Sequence, residues 1–158
     1  MEKYCKVCPR QCKVDRTAKL GFCGQSNMVK IAKVMLHQWE EPIISGGKGS
    51  GAIFFSGCNL KCIYCQNYQI SSLGEGKEVT IEGLADLFKQ LEQSGAENIN
   101  LVTPTHFTNQ IIKALKIYRP KIPIVWNTSG YESVETIKKL KNNVDIYLTD
   151  LKYCSRVL

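Results

Sequence analysis

The chain has 158 residues, 44% of them hydrophobic, a formal charge of +7 and a pI near 9.0. That is enough for one ordinary core. No apolar run approaches the roughly 18 residues that span a bilayer, and the opening MEKYCKVCPR carries no apolar stretch of a secretory signal. The expectation is a cytoplasmic protein with no membrane contact, and in a reducing compartment its eight cysteines read as metal ligands or redox groups. Lys30, Lys33, Lys113, Lys116, Lys138, Lys139 and Lys141 are dispersed and not interleaved with aromatic residues. A solvated polar face is therefore favoured over a nucleic-acid patch. An anionic small molecule or an acidic partner is equally compatible.

Residues 1–27 are polar and carry Cys5-x2-Cys8-x3-Cys12-x10-Cys23. Four thiolates can close a site, with Cys8-Pro9 and Cys23-Gly24 as turn-forming knuckles. Zinc and a second iron–sulfur cluster stand equal, ahead of metal-free thiols. Either metal would act as a staple, because so polar a segment cannot build its own core. An extended stretch follows over 28–44, VKIAKVML and then HQWEEP. His37 reads as a hydrogen-bonded histidine stacked near Trp39 rather than a ligand, and Glu40 and Glu41 as solvated or paired with Arg10 or Arg16. The connector SGGKGSG (45–51) superficially resembles a phosphate-binding loop. Lys48 is followed by Gly49, however, and the next element is strand-like, so that geometry is wrong. The chain divides here into a Cys-rich segment and connector (1–50) and a second unit (51–158).

The second unit alternates strands and helices. AIFFSG (52–57) is a short buried strand. Thr80 caps a helix whose Ile81, Leu84, Ala85, Phe88 and Leu91 keep helical spacing, with Gly95 as its stop. Further strands begin at residues 98, 122 and 144 (NINLVT, IPIVWN, VDIYLTD). Ile111, Ile112, Leu115 and Tyr118 mark one intervening helix, Val134, Ile137 and Leu140 another. That rhythm means crossover connections and a parallel sheet of four strands in an α/β fold. Polar residues gather after each strand: Cys58, then Thr103 and Thr105, then Asn127 to Gly130, then Asp150 and Lys152. Ligands bind at that carboxyl edge in parallel α/β folds. His106 falls there too, with even chances of touching a ligand. A closed eight-stranded barrel needs roughly 250 residues, so a partial barrel truncated after its fourth strand is expected.

CNLKCIYC places Cys58, Cys62 and Cys65 within eight residues. Three thiolates can wrap one corner of a four-iron cube but leave its fourth iron open for chemistry, as catalytic zinc keeps an open position. Gly57 gives the backbone room to turn. The competing readings are structural zinc, completed by His37 or Cys154, and three cysteines packed as small hydrophobes. Neighbouring Asn59, Lys61 and Asn67 argue against a core segment, and no second ligand pair follows downstream.

SGCNLKCIYCQN after a strand resembles the cluster motif of radical S-adenosylmethionine (SAM) enzymes. The blocks CPRQCKVDR, GFCG, HQWEEP, NINLVTPTHF, NTSGYESVET and DIYLTDLKY resemble, more narrowly, the PflX-type homologues of pyruvate formate-lyase activating enzyme. The resemblance implies a partial (βα) barrel with Cys58, Cys62 and Cys65 as ligands of a [4Fe–4S] cluster whose fourth iron is chelated by SAM. Tyr64 matches the position beside the adenine, and Asp150 and Lys152 the segment that contacts the ribose and carboxylate. Thr103, Pro104 and Thr105 sit where most relatives carry a glycine-rich stretch with a Glu that receives the SAM amino group. Asn127 stands where activating enzymes often have Asp. The function implied is oxidoreductase chemistry: reductive cleavage of SAM to a 5′-deoxyadenosyl radical that abstracts hydrogen, with this short chain expected to act slowly or not at all on its own. An electron donor such as flavodoxin or ferredoxin and a protein substrate, a backbone glycine of a partner enzyme, complete the implied set. The alternatives are a non-catalytic iron–sulfur or zinc protein and, less favoured, a basic zinc module for nucleic acid.

Overall fold

A computed structural model describes residues 4–150. Lys152 and Cys154 lie outside the described residues. The chain runs β1 (Val29–His37), α1 (Pro42–Ser45), β2 (Ser50–Phe55), α2 (Tyr68–Ser71), β3 (Lys77–Val79), α3 (Ile81–Gln93), β4 (Ile99–Val102), α4 (Thr108–Ile117), β5 (Ile124–Thr128), α5 (Val134–Leu140) and β6 (Ile146–Thr149). One six-stranded sheet has the order β3-β1-β2-β4-β5-β6.

Strands β2, β4, β5 and β6 are parallel, in register through Gly51 with Ile99, Ile99 with Ile124, and Val125 with Ile146. These are the four strands expected from the alternation of elements. The sheet is larger than that expectation, because β1 pairs antiparallel with both β2 and β3. The extended stretch after residue 28 thus joins the main sheet. The connector is shorter than expected, since Ser50 and Gly51 already belong to β2. Strand β3 has only three residues, two of them exposed and charged. Edge strands are often kept short and charged in this way, which also hides them from hydropathy patterns.

Helix boundaries follow local chemistry. The Thr80 hydroxyl accepts the Gly83 N–H at 3.0 Å and opens α3, and Ser133 caps α5 by accepting the Thr136 N–H at 3.2 Å. Past the end of α3, Gly95 takes φ +85°, a left-handed conformation open to glycine. On one side of the sheet Ile53, Phe55, Ile99, Leu101, Ile124 and Trp126 pack with Leu84, Phe88, Phe107, Ile111 and Leu140 from the helical layer. Side chains alternate along a strand, so Phe54, Val102 and Asn127 fall on the opposite face, where the cavity described below opens. Among the described residues no helix is long and apolar enough to cross a membrane.

His106 lies in the core rather than at the ligand edge, 2% exposed, in a short 3-10 turn after β4. Its Nε2 pairs with the Ser56 carbonyl at 2.7 Å, and the Arg16 guanidinium donates to its backbone carbonyl. Burial, reinforced by the Arg16 charge, pushes the imidazole pKa down from 6.5 to about 3. The folded state therefore holds a neutral ring that the unfolded chain protonates below about 6.5. Stability is lost as pH falls from there towards about 3, by about 1.4 kcal/mol per pH unit. The ring protons of His106, followed by NMR, should not titrate between pH 8 and 5. A midpoint near 6.5 would show an exposed ring.

Candidate functional site

The loop between β2 and α2 carries Cys58, Cys62 and Cys65, all free thiols of intermediate exposure. They line one cavity of about 500 Å3 at the carboxyl ends of β2, β4 and β5, together with Tyr64, Thr103, Asn127 and Asp150. The loop's geometry suits anionic sulfur. The Leu60 N–H donates to Cys58 Sγ at 3.4 Å, the Ser71 hydroxyl donates to Cys65 Sγ at 3.3 Å, and the Cys65 N–H donates to the Cys62 carbonyl at 3.2 Å. Among the described residues no three His, Cys, Asp or Glu side chains converge on a single ion. A four-iron cube asks for something else, because each of its thiolates takes a different iron. Three free thiols lining one cavity fit that demand.

The loop is held from the N-terminal side. The Arg10 Nε donates to the Asn59 carbonyl at 2.9 Å while its guanidinium lies 4.1 Å from the Phe22 ring centroid. Asn59, 1% exposed, donates from Nδ2 to the Tyr131 carbonyl at 2.9 Å, tying the loop to the segment after β5. Cys5, Cys8, Cys12 and Cys23 occupy this supporting segment. The sulfurs of Cys12 and Cys23 both sit beside Gly21. Burial pushes the Cys8 and Cys23 thiols up. Cys12 is shifted down against its own burial, because backbone hydrogen bonds from Phe22 and Val14 reach its sulfur. A metal cation would reverse the burial effect at such thiols, since coordination deprotonates them.

The expected site residues separate on inspection. Thr103 lines the cavity with φ +56°, a left-handed backbone uncommon for a β-branched residue and characteristic of ligand-binding segments. Thr105 is buried instead, its hydroxyl donating to Glu132 Oε1 at 2.6 Å. Tyr64 lines the cavity while 64% exposed. Asp150 lines it too, its N–H donating to the Thr128 carbonyl at 2.9 Å. His37 also lines the cavity, and its partner is the Glu40 carboxylate at 4.0 Å rather than Trp39, whose ring is 88% exposed. Arg10 and Arg16 bond backbone carbonyls rather than Glu40 or Glu41.

Ser71 and Glu132 went unassigned in the sequence, and Glu40 was read there as solvated or paired with an arginine. Ser71 reaches Cys65. Glu132 gathers the Thr105 and Thr128 hydroxyls and the Trp126 indole N–H behind the strand ends. Glu40 enters the cavity beside Asn127, whose Nδ2 donates to its Oε1 at 3.3 Å. Only Glu132 had a signal, as the acidic residue just after the polar end of β5.

A (βα)-type parallel sheet with a three-cysteine loop at its carboxyl edge defines a class, and comparison with known proteins agrees with it. Residues 52–157 match the radical SAM superfamily, and the chain belongs to it. It is 34% identical over 160 aligned positions to an uncharacterized protein of Methanocaldococcus jannaschii, covering 96% of this chain and 46% of that one. It is 28% identical over 130 positions to a pyruvate formate-lyase-activating enzyme of Clostridium pasteurianum, covering 75% and 52% respectively. The chain thus spans about half the length of these curated relatives. No solved structure matches it. Membership implies a [4Fe–4S] cluster, SAM and a source of electrons.

Gly57 tests how the loop is held. At φ +81°, a Cβ on this residue would lie 2.5 Å from the Cys23 carbonyl oxygen and from Gln25 Cγ. Gly57→Ala should cost roughly 1–3 kcal/mol, measured by denaturant unfolding, through backbone strain and separation of the two segments. Unchanged stability would mean that the Cys23 segment does not pack against the loop.

Proposed function

We propose that Cys58, Cys62 and Cys65 hold a [4Fe–4S] cluster with one open iron, and that the protein is a SAM-cleaving oxidoreductase akin to glycyl-radical activating enzymes of the PflX type. The observation that carries this reading is the presence of all three thiols on a single cavity at the carboxyl edge of the parallel sheet. A cluster held by Cys58, Cys62 and Cys65 would supply one-electron reduction of the SAM sulfonium, for release of methionine and a 5′-deoxyadenosyl radical able to take a hydrogen atom from substrate.

The chain's own residues bind, orient and exclude water. Tyr64 flanks the adenine, while Asp150 and Lys152 meet the ribose and carboxylate. Thr103 and Asn127 line the ligand from neighbouring strand ends, and Thr105, through Glu132, fixes the turn that carries Thr103. Cys5, Cys8, Cys12 and Cys23 form a second, closed site for zinc or a cluster, which staples residues 1–50 to the unit that follows. The reading includes a cytoplasmic setting, a flavodoxin or ferredoxin donor, and a protein substrate. Support for the substrate class comes from the relative named as an activating enzyme.

Anaerobically reconstituted chain should hold about four irons and matching sulfide at the loop. Replacing Cys58, Cys62 and Cys65 together with Ala should remove those irons and spare metal at the other four cysteines. Any 5′-deoxyadenosine that wild type forms under a strong reductant should be absent from the triple variant. A triple variant that kept all its iron would refute the site. A loaded wild type that left SAM intact would favour a non-catalytic iron–sulfur protein.

A further inference from the structure

The four N-terminal cysteines lie against the three-cysteine loop, and one buried side chain joins the two sets of thiols. Asn59, next to Cys58 and 1% exposed, touches a sulfur of each. Its Oδ1 lies 4.0 Å from Cys58 Sγ. Its amide, besides donating to the Tyr131 carbonyl, donates to the Cys8 sulfur. On the other side of Cys58, the Cys23 carbonyl packs against Gly57. The four sulfurs are also mutual neighbours. Cys5 hydrogen-bonds to Cys12, Cys8 is in electrostatic range of both, Cys23 is in range of Cys5 and Cys8, and the Cys12 and Cys23 sulfurs flank Gly21. Yet among the described residues no three converge on a single ion, as tetrahedral zinc requires. A four-iron cube takes each thiolate on a different iron and suits the looser set. Zinc, besides, carries no electrons.

Cys5 also lines a second cavity, of about 1020 Å3, walled by the N-terminal segment and by α4. Lys6, Lys113, Lys116, Lys139 and the buried Arg16 line it against two carboxylates, Asp15 and Glu82. Walls of that net charge favour an acidic partner and speed its arrival. The cavity beside the loop has the opposite character: Glu40 and Asp150 line it, and among the described residues no lysine or arginine does. An acidic protein is therefore disfavoured at the loop and favoured at the wall that Cys5 shares.

We propose that Cys5, Cys8, Cys12 and Cys23 hold an iron–sulfur cluster that relays electrons from an acidic donor protein, docked on the basic cavity, by way of Asn59 to the cluster at the loop. This rests on the loop holding a cluster. One electron moves at each step. The donor loses it as the relay is reduced, the relay loses it as the loop cluster is reduced, and no bond forms or breaks.

The test begins with the variant Cys58→Ala/Cys62→Ala/Cys65→Ala, which isolates the relay and leaves its own ligands untouched. Reconstituted anaerobically with both metals offered, it should hold about four irons and no zinc. Reduced flavodoxin, an acidic flavoprotein, should then produce the electron paramagnetic resonance signal of a reduced cluster. Zinc in place of iron, or a cluster that flavodoxin leaves oxidised, would overturn the relay while the loop cluster of the wild type still stood. In the full chain, Lys113→Glu/Lys116→Glu should slow reduction by flavodoxin at least about tenfold at low salt. Reduction by photoreduced deazaflavin, small enough to reach either site, should be unchanged. Asn59→Leu, with the iron of both sites intact, should slow the arrival of flavodoxin electrons at the loop cluster severalfold and spare those from deazaflavin. Flavodoxin rates unchanged in either variant would overturn the route. A wild type whose loop takes up no cluster would remove the acceptor, and the relay and the reading it rests on would fall together.

Discussion

In a parallel sheet every strand points the same way, so whatever follows each strand is delivered to one edge. Here β2, β4 and β5 bring the cysteine loop, Thr103 and Asn127 to that edge, and Asp150 follows β6 to the same place. Everything chemical in this protein depends on that convergence. The apolar residues on the helical side of the sheet, Ile53, Leu101 and Trp126 among them, fix the strands in register. A register slip of one residue would turn these side chains to the wrong face and carry the cavity residues away from it.

The second dependence is on the segment before residue 51. It adds β1 to the sheet, buttresses the cysteine loop through Arg10 and Cys23, and sends Glu40 into the cavity. Its four cysteines sit in a polar stretch with little apolar surface to bury, which is where a metal contributes most to folding. The buttress and the cavity wall thus come from the same stretch of chain.

Much of this was legible in the residues. Helical spacing and the Thr80 cap located α3, and turn residues bounded β4 and β5. The cavity edge followed from where polar residues cluster. The losses have physical reasons. Strand β3 is too short and charged to show a pattern. His106 looked like a ligand-edge residue, but its neighbour Phe107 packs into the core and the 3-10 turn takes the histidine inward with it. Glu40 and Ser71 act through tertiary contacts across the sheet edge or a loop, and no local spacing reports such contacts. Trp39, chosen as a stacking partner for its aromatic ring, faces solvent.

The central claim is an iron left without a protein ligand and open to the cavity. The direct measurement is Mössbauer spectroscopy of the 57Fe-reconstituted chain, with and without SAM. The account predicts a four-iron signal in which one iron alone changes its isomer shift when SAM is added. Four irons indifferent to SAM, or a loop that takes up zinc in place of iron, would contradict it.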